Sequence, residues 1–299
     1  MKNTNYFFII VIFLSACGTQ KKIEDTRQIL DASKMQQQQE NARIDSLSKR
    51  VNDILKQGKI DQHIDTVIQK KLDAYVKKLD VAKDKTEGID SLINQKKEFR
   101  ENYKSFVLPA LDSLKQSNAS YAERMKLYLM MENMLDIANY NLYDLAAFFG
   151  PGKYIIPIDK IGLAEQSFSP IVDSLMKFSN RYSEIPKTAT LVILGFADET
   201  GFSDDTNLLD TLRALAGDPN ASKKELNLKL SELRSKELIK RLMQALITKA
   251  SSYNNYQNLR IEYIGQGKGE ALPLPTISDY STDDPRRRIV LCYWIVLPD

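Results

Sequence analysis

The hydrophobic positions divide the chain into two parts with different periodicities. From residue 21 to about residue 149, apolar residues recur every three or four positions, and Gly58, Gly88 and Pro109 are the only glycines and proline. This pattern predicts helix almost throughout. A coiled-coil spacing is clearest at Ile44, Leu47, Val51 and Ile54. The glycines indicate two or three helices, and the pattern fits either a straight rod or a hairpin.

After Gly150, Pro151 and Gly152 the pattern changes to alternating strands and helices. Strands are predicted at residues 154–158, 188–196, 259–264 and 287–297, and helices at 169–182 and 223–250. The order βαβαββ predicts an α+β fold in which helices cover one face of a mixed sheet. The sequence therefore predicts a helical or coiled-coil spacer at residues 23–149 and a separate domain at residues 150–299.

The last predicted strand is apolar on both faces, because Trp294 and its neighbours Tyr293 and Ile295 are all hydrophobic. Two helices within the domain can cover only one of these faces. An uncovered apolar face would be unusually large for a soluble monomer. We expect a helix at residues 127–149 to pack on the sheet near Trp294. A dimer that buries the same face is the alternative.

The first sixteen residues have the features of a secretory signal peptide, with Lys2 followed by an apolar run at residues 6–13. The run ends in Leu14-Ser15-Ala16-Cys17, the pattern of a lipobox. We expect cleavage before Cys17, acylation of that cysteine by diacylglycerol and an N-acyl chain such as palmitate, and a short linker at residues 17–22. The alternatives are an ordinary signal peptide or an uncleaved anchor helix.

Charge and the rarer residues exclude several functional classes. The formal net charge is +3, and basic and acidic groups are interspersed, so no nucleic-acid partner is expected. Lipidation of Cys17 leaves Cys292 as the one remaining cysteine, which excludes an intramolecular disulfide and favours a buried hydrophobic role. His63 is the only histidine and lies in the helical part, so a serine triad and a zinc site have no support. We predict no enzyme activity, no cofactor and no metal.

Four motifs in residues 150–299 resemble the OmpA-like domain, the peptidoglycan-binding module of peptidoglycan-associated lipoproteins and flagellar stator proteins. They are Gly195-Phe196-Ala197-Asp198-Glu199-Thr200-Gly201, Leu226-Asn227-Leu228-Lys229-Leu230-Ser231-Glu232-Leu233-Arg234, Gly265-Gln266-Gly267 with Gly269-Glu270, and Arg287-Arg288. The resemblance implies that the domain holds the diaminopimelate of the peptidoglycan stem peptide. Asp198 would bind its ammonium group and Arg234 its carboxylate, and Thr200 belongs to the same motif as Asp198.

The chemistry of the residues supports this interpretation separately. A zwitterionic amino-acid end needs one fixed anion and one guanidinium fork, and such charge-assisted bonds are strong. Asn227, Ser231 and Arg234 share one helical face and could line a pocket. In isolation Asp198 could instead cap a turn, and Arg234 could be an exposed helix residue.

The chain departs from the OmpA-like pattern at three places. Phe196 replaces a histidine, Arg286 stands where an asparagine is common, and about twenty extra residues occupy positions 202–223. The insertion is acidic and could form a lid over the site or block it. Arg287 and Arg288 could contribute anion contacts or could be solvated charges at the strand edge.

These features predict a non-catalytic, lipid-anchored lipoprotein of the outer membrane that faces the periplasm and tethers the membrane to peptidoglycan. The alternative is an envelope scaffold with a degenerate OmpA-like domain. In that case the helices would bind another envelope protein or a second copy of the chain. An enzyme of the cell envelope lacks a catalytic constellation.

Overall fold

The computed structural model describes residues 4–144, 149, 153–199, 202, 206–250, 256–274, 277–282 and 284–299. The chain forms two compact units. We call residues 1–50 and 69–129 the helical unit, and residues 51–68 and 130–299 the sheet unit. Among the described residues, no helix is both long enough and apolar enough to span a membrane.

Five helices supply the helical unit, some of them extending into the sheet unit. They are α1 (Thr4–Lys56), α2 (Gln62–Ile93), α3 (Lys96–Asn102), α4 (Leu108–Ala119) and α5 (Tyr121–Ile137), with a π-helical turn at Tyr103–Val107. Gly58 adopts φ +68°, a left-handed conformation that favours glycine, in the turn between α1 and α2. Lys34 pairs with Asp90 at 3.0 Å, and Gln37 donates to Thr86 at 3.0 Å, so α1 and α2 form an antiparallel hairpin.

The helical unit combines an apolar core with one buried ion pair. Residues of α1, α2, α3 and α4 form the core, among them Leu30, Ile89, Phe99 and Leu114. Nearby, Arg124 of α5 donates two hydrogen bonds, of 2.8 and 2.6 Å, to the carboxylate of Glu40 in α1. Glu40 is 1% exposed, and the Tyr128 hydroxyl also donates to it at 3.0 Å. The carboxylate is therefore paired and hydrogen-bonded, as a buried charge requires.

The sheet unit has the predicted α+β architecture. Its elements are β1 (Tyr140–Asp144), α6 (Ile161–Arg181), β2 (Lys187–Gly195), α7 (Thr206–Ala216), α8 (Lys223–Ala250), β3 (Leu259–Gly267) and β4 (Ile289–Pro298). The strand order is β1-β4-β2-β3. β2 runs parallel to β3 and antiparallel to β4, and β1 runs antiparallel to β4. The sheet is therefore mixed, and β2 and β4 lie in its centre with every residue except Thr188 buried.

The first strand differs from the sequence prediction. Residues 154–158 do not form a strand; Ile155 and Ile158 are 59% and 88% exposed, and Pro157 cannot donate to a ladder. The first strand lies earlier, at Tyr140–Asp144, where helix was expected. Residues 145–148 of the expected helix lie outside the described residues.

Different segments lie against the two faces of β4. Trp294 lines a 240 Å³ cavity together with Phe178 of α6 and Asn133 and Ile137 of α5. The end of α5 therefore lies near Trp294 as expected, but on the face that α6 also covers. Tyr293 points to the opposite face. Burial and the charge of Asp61, in the turn between α1 and α2, raise the pKa of Tyr293 to about 12.

Cys292 behaves as the sequence predicted. It is 1% exposed in the middle of β4, and burial raises the pKa of its thiol to about 12. The thiol is therefore protonated near neutral pH and packs as a small apolar side chain.

Candidate functional site

The ends of three strands meet where the motif that begins at Gly195 leaves the sheet. The amide of Phe196 donates to the carbonyl of Ile289 at 3.0 Å, and the amide of Ala197 donates to Gly269 at 2.8 Å. Asp198 follows directly and is 8% exposed. The loop after β2 is thus fixed by backbone hydrogen bonds to the β3 and β4 ends before it presents its carboxylate.

Helix α8 lies beside this loop, and a capping box fixes the position of its first turn. Ser222 and Glu225 form a capping box in which the Ser222 amide donates to the Glu225 carboxylate at 2.7 Å and the Glu225 amide donates to Ser222 Oγ at 3.4 Å. The following turns bury Asn227, Ser231 and Arg234 on the face towards the strand ends. The three residues share the face that the sequence predicted.

Two glycines allow α8 to approach the strands. A Cβ atom at Gly195 would lie 2.2 Å from the carbonyl oxygen of Ser231, and one at Gly267 would lie 2.5 Å from that of Leu228. Both distances are too short for any side chain. Gly195 and Gly267 therefore permit the backbone contact that brings α8 to the loop of Asp198.

Asn227 and Ser231 connect the loops around the site. The Asn227 amide group donates to the carbonyl of Asp198 at 3.2 Å and to the carboxylate of Glu270 at 2.7 Å. Ser231 Oγ accepts the amide of Gly269 at 2.9 Å and is fully buried. Both side chains use their hydrogen bonds within the protein, so they position the site.

Arg234 is a buried cation. It is 3% exposed, its Nε–H donates to the carbonyl of Lys153 at 3.1 Å, and its guanidinium lies 5.8 Å from the ring centre of Phe149. No carboxylate of the described residues lies within salt-bridge distance of it. The pKa of Arg234 is lowered to about 10, mainly by burial; the charge of Asp198 opposes this shift, and the charge of Arg288 adds to it. The group therefore stays protonated at neutral pH.

Asp198 forms an ion pair with Arg288, and these two residues form a charged cluster with Arg234. Arg288 Nε lies 3.2 Å from Asp198 Oδ2, but neither atom makes a well-oriented hydrogen bond within the described part of the chain. Asp198, Arg234 and Arg288 together carry a formal charge of +1. The cluster thus combines excess positive charge with a buried carboxylate oxygen that can still accept a hydrogen bond.

The two arginines at the start of β4 are not solvated edge charges. Arg287 is 3% exposed, and it donates to the Glu199 carboxylate at 2.7 Å and to the Glu270 carbonyl at 2.5 Å. Arg287 therefore ties the loops after β2 and β3 together, and Arg288 holds Asp198. Thr200, the remaining predicted site residue, lies outside the described residues.

Half of the insertion at residues 202–223 is the packed helix α7. Leu208 and Leu212 of α7 pack against Leu226 and Leu230 on the outer side of α8. Asp210 lies 3.8 Å from Arg213 on the α7 surface, and Asp204 and Asp205 fall outside the described part. In the described residues the insertion thus extends the apolar core.

A cleft of 520 Å³ lies beside the cluster, and the sequence did not indicate it. Its lining residues are Glu199, Lys224, Glu225, Leu228, Lys268, Gly269, Glu270 and Ala271. Neither Asp198 nor Arg234 lines it. Glu199 and Glu270 link the cleft to the cluster through Arg287 and Asn227.

The contacts of Arg234 with Lys153 and Phe149 were also missed. These residues lie 81 and 85 positions away in the chain, and no local motif marks them. Only a prediction of which segments meet in the fold could have identified them.

Comparison with known proteins shows weak structural similarity. No family model and no curated protein matches the chain. Among solved structures, the chain is similar to a MotB-like protein from Desulfovibrio vulgaris, with 17% sequence identity and a TM-score of 0.28. The match covers 54% of this chain and 73% of the other.

Proposed function

We propose that this chain is a non-catalytic lipoprotein, attached through Cys17 to the outer membrane, whose sheet unit binds the diaminopimelate of peptidoglycan in the periplasm. One observation carries the proposal: Arg234 is a buried guanidinium without a described carboxylate partner, and it lies in a cluster with Asp198. Burying an unpaired cation is costly, so a site of this kind favours an anionic ligand group.

Diaminopimelate matches both charges of the cluster. Its side chain ends in a carboxylate, to which the terminal nitrogens of Arg234 can donate as a fork, and in an ammonium group, which can donate a hydrogen bond to Asp198 Oδ2. The Arg288 side chain is 25% exposed and that of Asp198 is 11% exposed, so a ligand would reach the cluster from the side of Arg288. Asn227 and Ser231 support the site by holding the loops.

The membrane anchor is supported by the sequence. The lipobox at Leu14-Ser15-Ala16-Cys17 follows an apolar run of signal-peptide length. Lipid attachment through Cys17 and peptidoglycan binding by the sheet unit would together tether the outer membrane to the wall.

Co-sedimentation of the protein with purified sacculi tests the proposal. The chain from residue 17 to residue 299, with Cys17→Ser, should sediment with sacculi that contain diaminopimelate. Arg234→Ala and Asp198→Ala should each weaken binding by tens of times, because each loses a charge-assisted contact of about 1.5–3 kcal/mol. Arg234→Lys should also bind poorly, since an ammonium group cannot form the fork.

Arg241→Ala is the matched control on the same helix, because Arg241 pairs with Glu237 at 2.7 Å, outside the cluster. It should bind sacculi like the unchanged chain. Circular dichroism should show all variants folded. Full binding by folded Arg234→Ala and Asp198→Ala would refute the site, and no binding by the unchanged chain would favour the envelope scaffold.

A further inference from the structure

A patch with excess positive charge lies next to the predicted lipid-bearing residue. A cavity of 740 Å³ in the helical unit is lined by Thr19, Gln20, Lys96, Lys97, Arg100 and Glu101. Thr19 and Gln20 belong to α1, and the other four residues belong to α3. Three cations and one anion give this lining a formal charge of +2. We call Lys96, Lys97 and Arg100 the α3 basic patch.

The core of the helical unit fixes the patch beside the start of α1. Phe99, between Lys97 and Arg100, is 1% exposed and belongs to the same apolar cluster as Ile23 of α1 and Ile93 of α2. Lys22 lies 4.4 Å from the ring centre of Tyr103, which follows α3 directly. The exposed cations therefore lie on a helix that is packed against the core of the helical unit.

Some cations of the helical unit are paired within the chain. Lys34 lies 3.0 Å from Asp90, and Lys115 lies 3.6 Å from Asp112. In contrast, Lys96, Lys97 and Arg100 are exposed, and none has an ion-pair partner among the described residues. Their positive charge is available to a partner outside the chain.

The position of the patch identifies the chemistry of that partner. Thr19 is two residues after Cys17 in the same helix, a rise of about 3 Å along the axis. If Cys17 carries the diacylglycerol, the patch lies at the level of the lipid headgroups. Anionic phosphates at a membrane surface attract clustered Lys and Arg side chains within about 8 Å at physiological salt.

We propose that the α3 basic patch binds the anionic headgroups of the membrane that holds the lipid anchor. This inference rests on lipidation of Cys17 in the proposed function and adds a second contact with the same membrane. The lipid chains provide attachment, and the patch holds the adjoining end of the helical unit against the headgroups.

Vesicle sedimentation of the unlipidated full chain tests the patch alone. The Cys17→Ser chain without residues 1–16 should bind phosphatidylcholine vesicles that contain phosphatidylglycerol, and should not bind pure phosphatidylcholine vesicles. Substituting Gln for Lys96, Lys97 and Arg100 together should lower the partition coefficient at least about tenfold.

The control removes three positive charges from a part of the helical unit that is distant from the α3 basic patch. Lys70, Lys77 and Lys78 are exposed on α2, about 22 Å or more along the helix from its end at Ile93, which directly precedes α3. Their triple Gln variant should bind like the unchanged chain. Equal binding by both triple variants, or no binding by the unchanged chain, would overturn the proposal. So would displacement by inorganic phosphate but not by chloride at equal ionic strength, because this would indicate a site for free phosphate.

Failure of the patch and failure of the proposed function are distinguishable. The native chain carrying the Lys96, Lys97 and Arg100 substitutions should still incorporate labelled lipid at Cys17 and bind sacculi. Loss of labelling in the unchanged chain would instead remove the anchor on which the inference depends.

Discussion

At the scale of single residues, the site depends on backbone proximity as much as on charge. Asp198 and Arg234 can approach one another because Gly195 and Gly267 let the strand ends touch α8. No side chain fits at either glycine without moving the helix. The glycines thus position the charged residues without contacting any ligand.

Gly195→Ala should destabilise the sheet unit strongly. Its Cβ would lie 2.2 Å from the Ser231 carbonyl oxygen, and backbone atoms cannot rotate away as a side chain can. We expect the free energy of unfolding to fall by about 3 kcal/mol or more. Gly162→Ala is the control, because nothing lies within 4 Å of its Cβ in α6, and it should be neutral or stabilise by up to about 1 kcal/mol. Urea unfolding measures both, and equal stability of the two variants would contradict this packing.

The sequence predicted the charged residues of the site better than their partners. Asp198 and Arg234 follow from their motifs, and the structure places both in one cluster. The pairing of Asp198 with Arg288 and the contact of Arg234 with Lys153 do not follow, because they join distant segments. Burial of Arg287 was also missed, since nothing local indicates that the loops after β2 and β3 close over it.

At the scale of elements, α2 and α5 meet through two tyrosines with different surroundings. The rings of Tyr75 and Tyr128 pack edge to face, with centroids 5.2 Å apart. The Tyr128 hydroxyl donates to Glu40, whereas the Tyr75 hydroxyl is buried and has no hydrogen-bond partner among the described residues. The same substitution should therefore have opposite effects at the two positions.

Tyr128→Phe should lower the free energy of unfolding by about 1.5–3 kcal/mol, because the Glu40 carboxylate loses a hydrogen bond. Tyr75→Phe should leave it unchanged or raise it by about 1 kcal/mol, because an unsatisfied polar group is removed. The pH dependence provides a further test. Burial raises the pKa of Tyr75 from 10.0 to about 12, so its neutral form is favoured in the folded state.

The stability linked to that shift is fully present below about pH 10 and is lost as the pH rises through about 12. Tyr75→Phe should reduce the loss of unfolding free energy between about pH 10 and pH 12. Urea unfolding measured across this pH range checks the prediction. Destabilisation by Tyr75→Phe equal to that of Tyr128→Phe would mean that the Tyr75 hydroxyl has a partner after all.

Periodicity predicted long elements well and short ones poorly. Helices α2 and α8 and strands β2 and β4 show clear patterns over many residues. The five-residue strand β1 directly follows a helix, and its strand conformation depends on pairing with β4, where Tyr140 lies opposite Tyr293. Such pairing leaves no periodic signal, whereas the apolar residues at 154–158 resemble a strand locally.

At the scale of the whole molecule, the proposed functions lie in different compact units. The predicted lipid site and the α3 basic patch belong to the helical unit, and the cluster of Asp198, Arg234 and Arg288 belongs to the sheet unit. Membrane attachment and wall binding should therefore be separable by substitution. We propose that the cluster recognises both charges at the end of diaminopimelate.

Calorimetric titration with two soluble stem peptides tests this recognition. One peptide contains diaminopimelate, and the other contains lysine, which has the ammonium group but lacks the neighbouring carboxylate. The diaminopimelate peptide should bind at least about tenfold more tightly, because only it can use the Arg234 fork. Arg234→Ala should abolish this difference between the peptides. Equal affinity of the unchanged protein for both peptides would contradict the account.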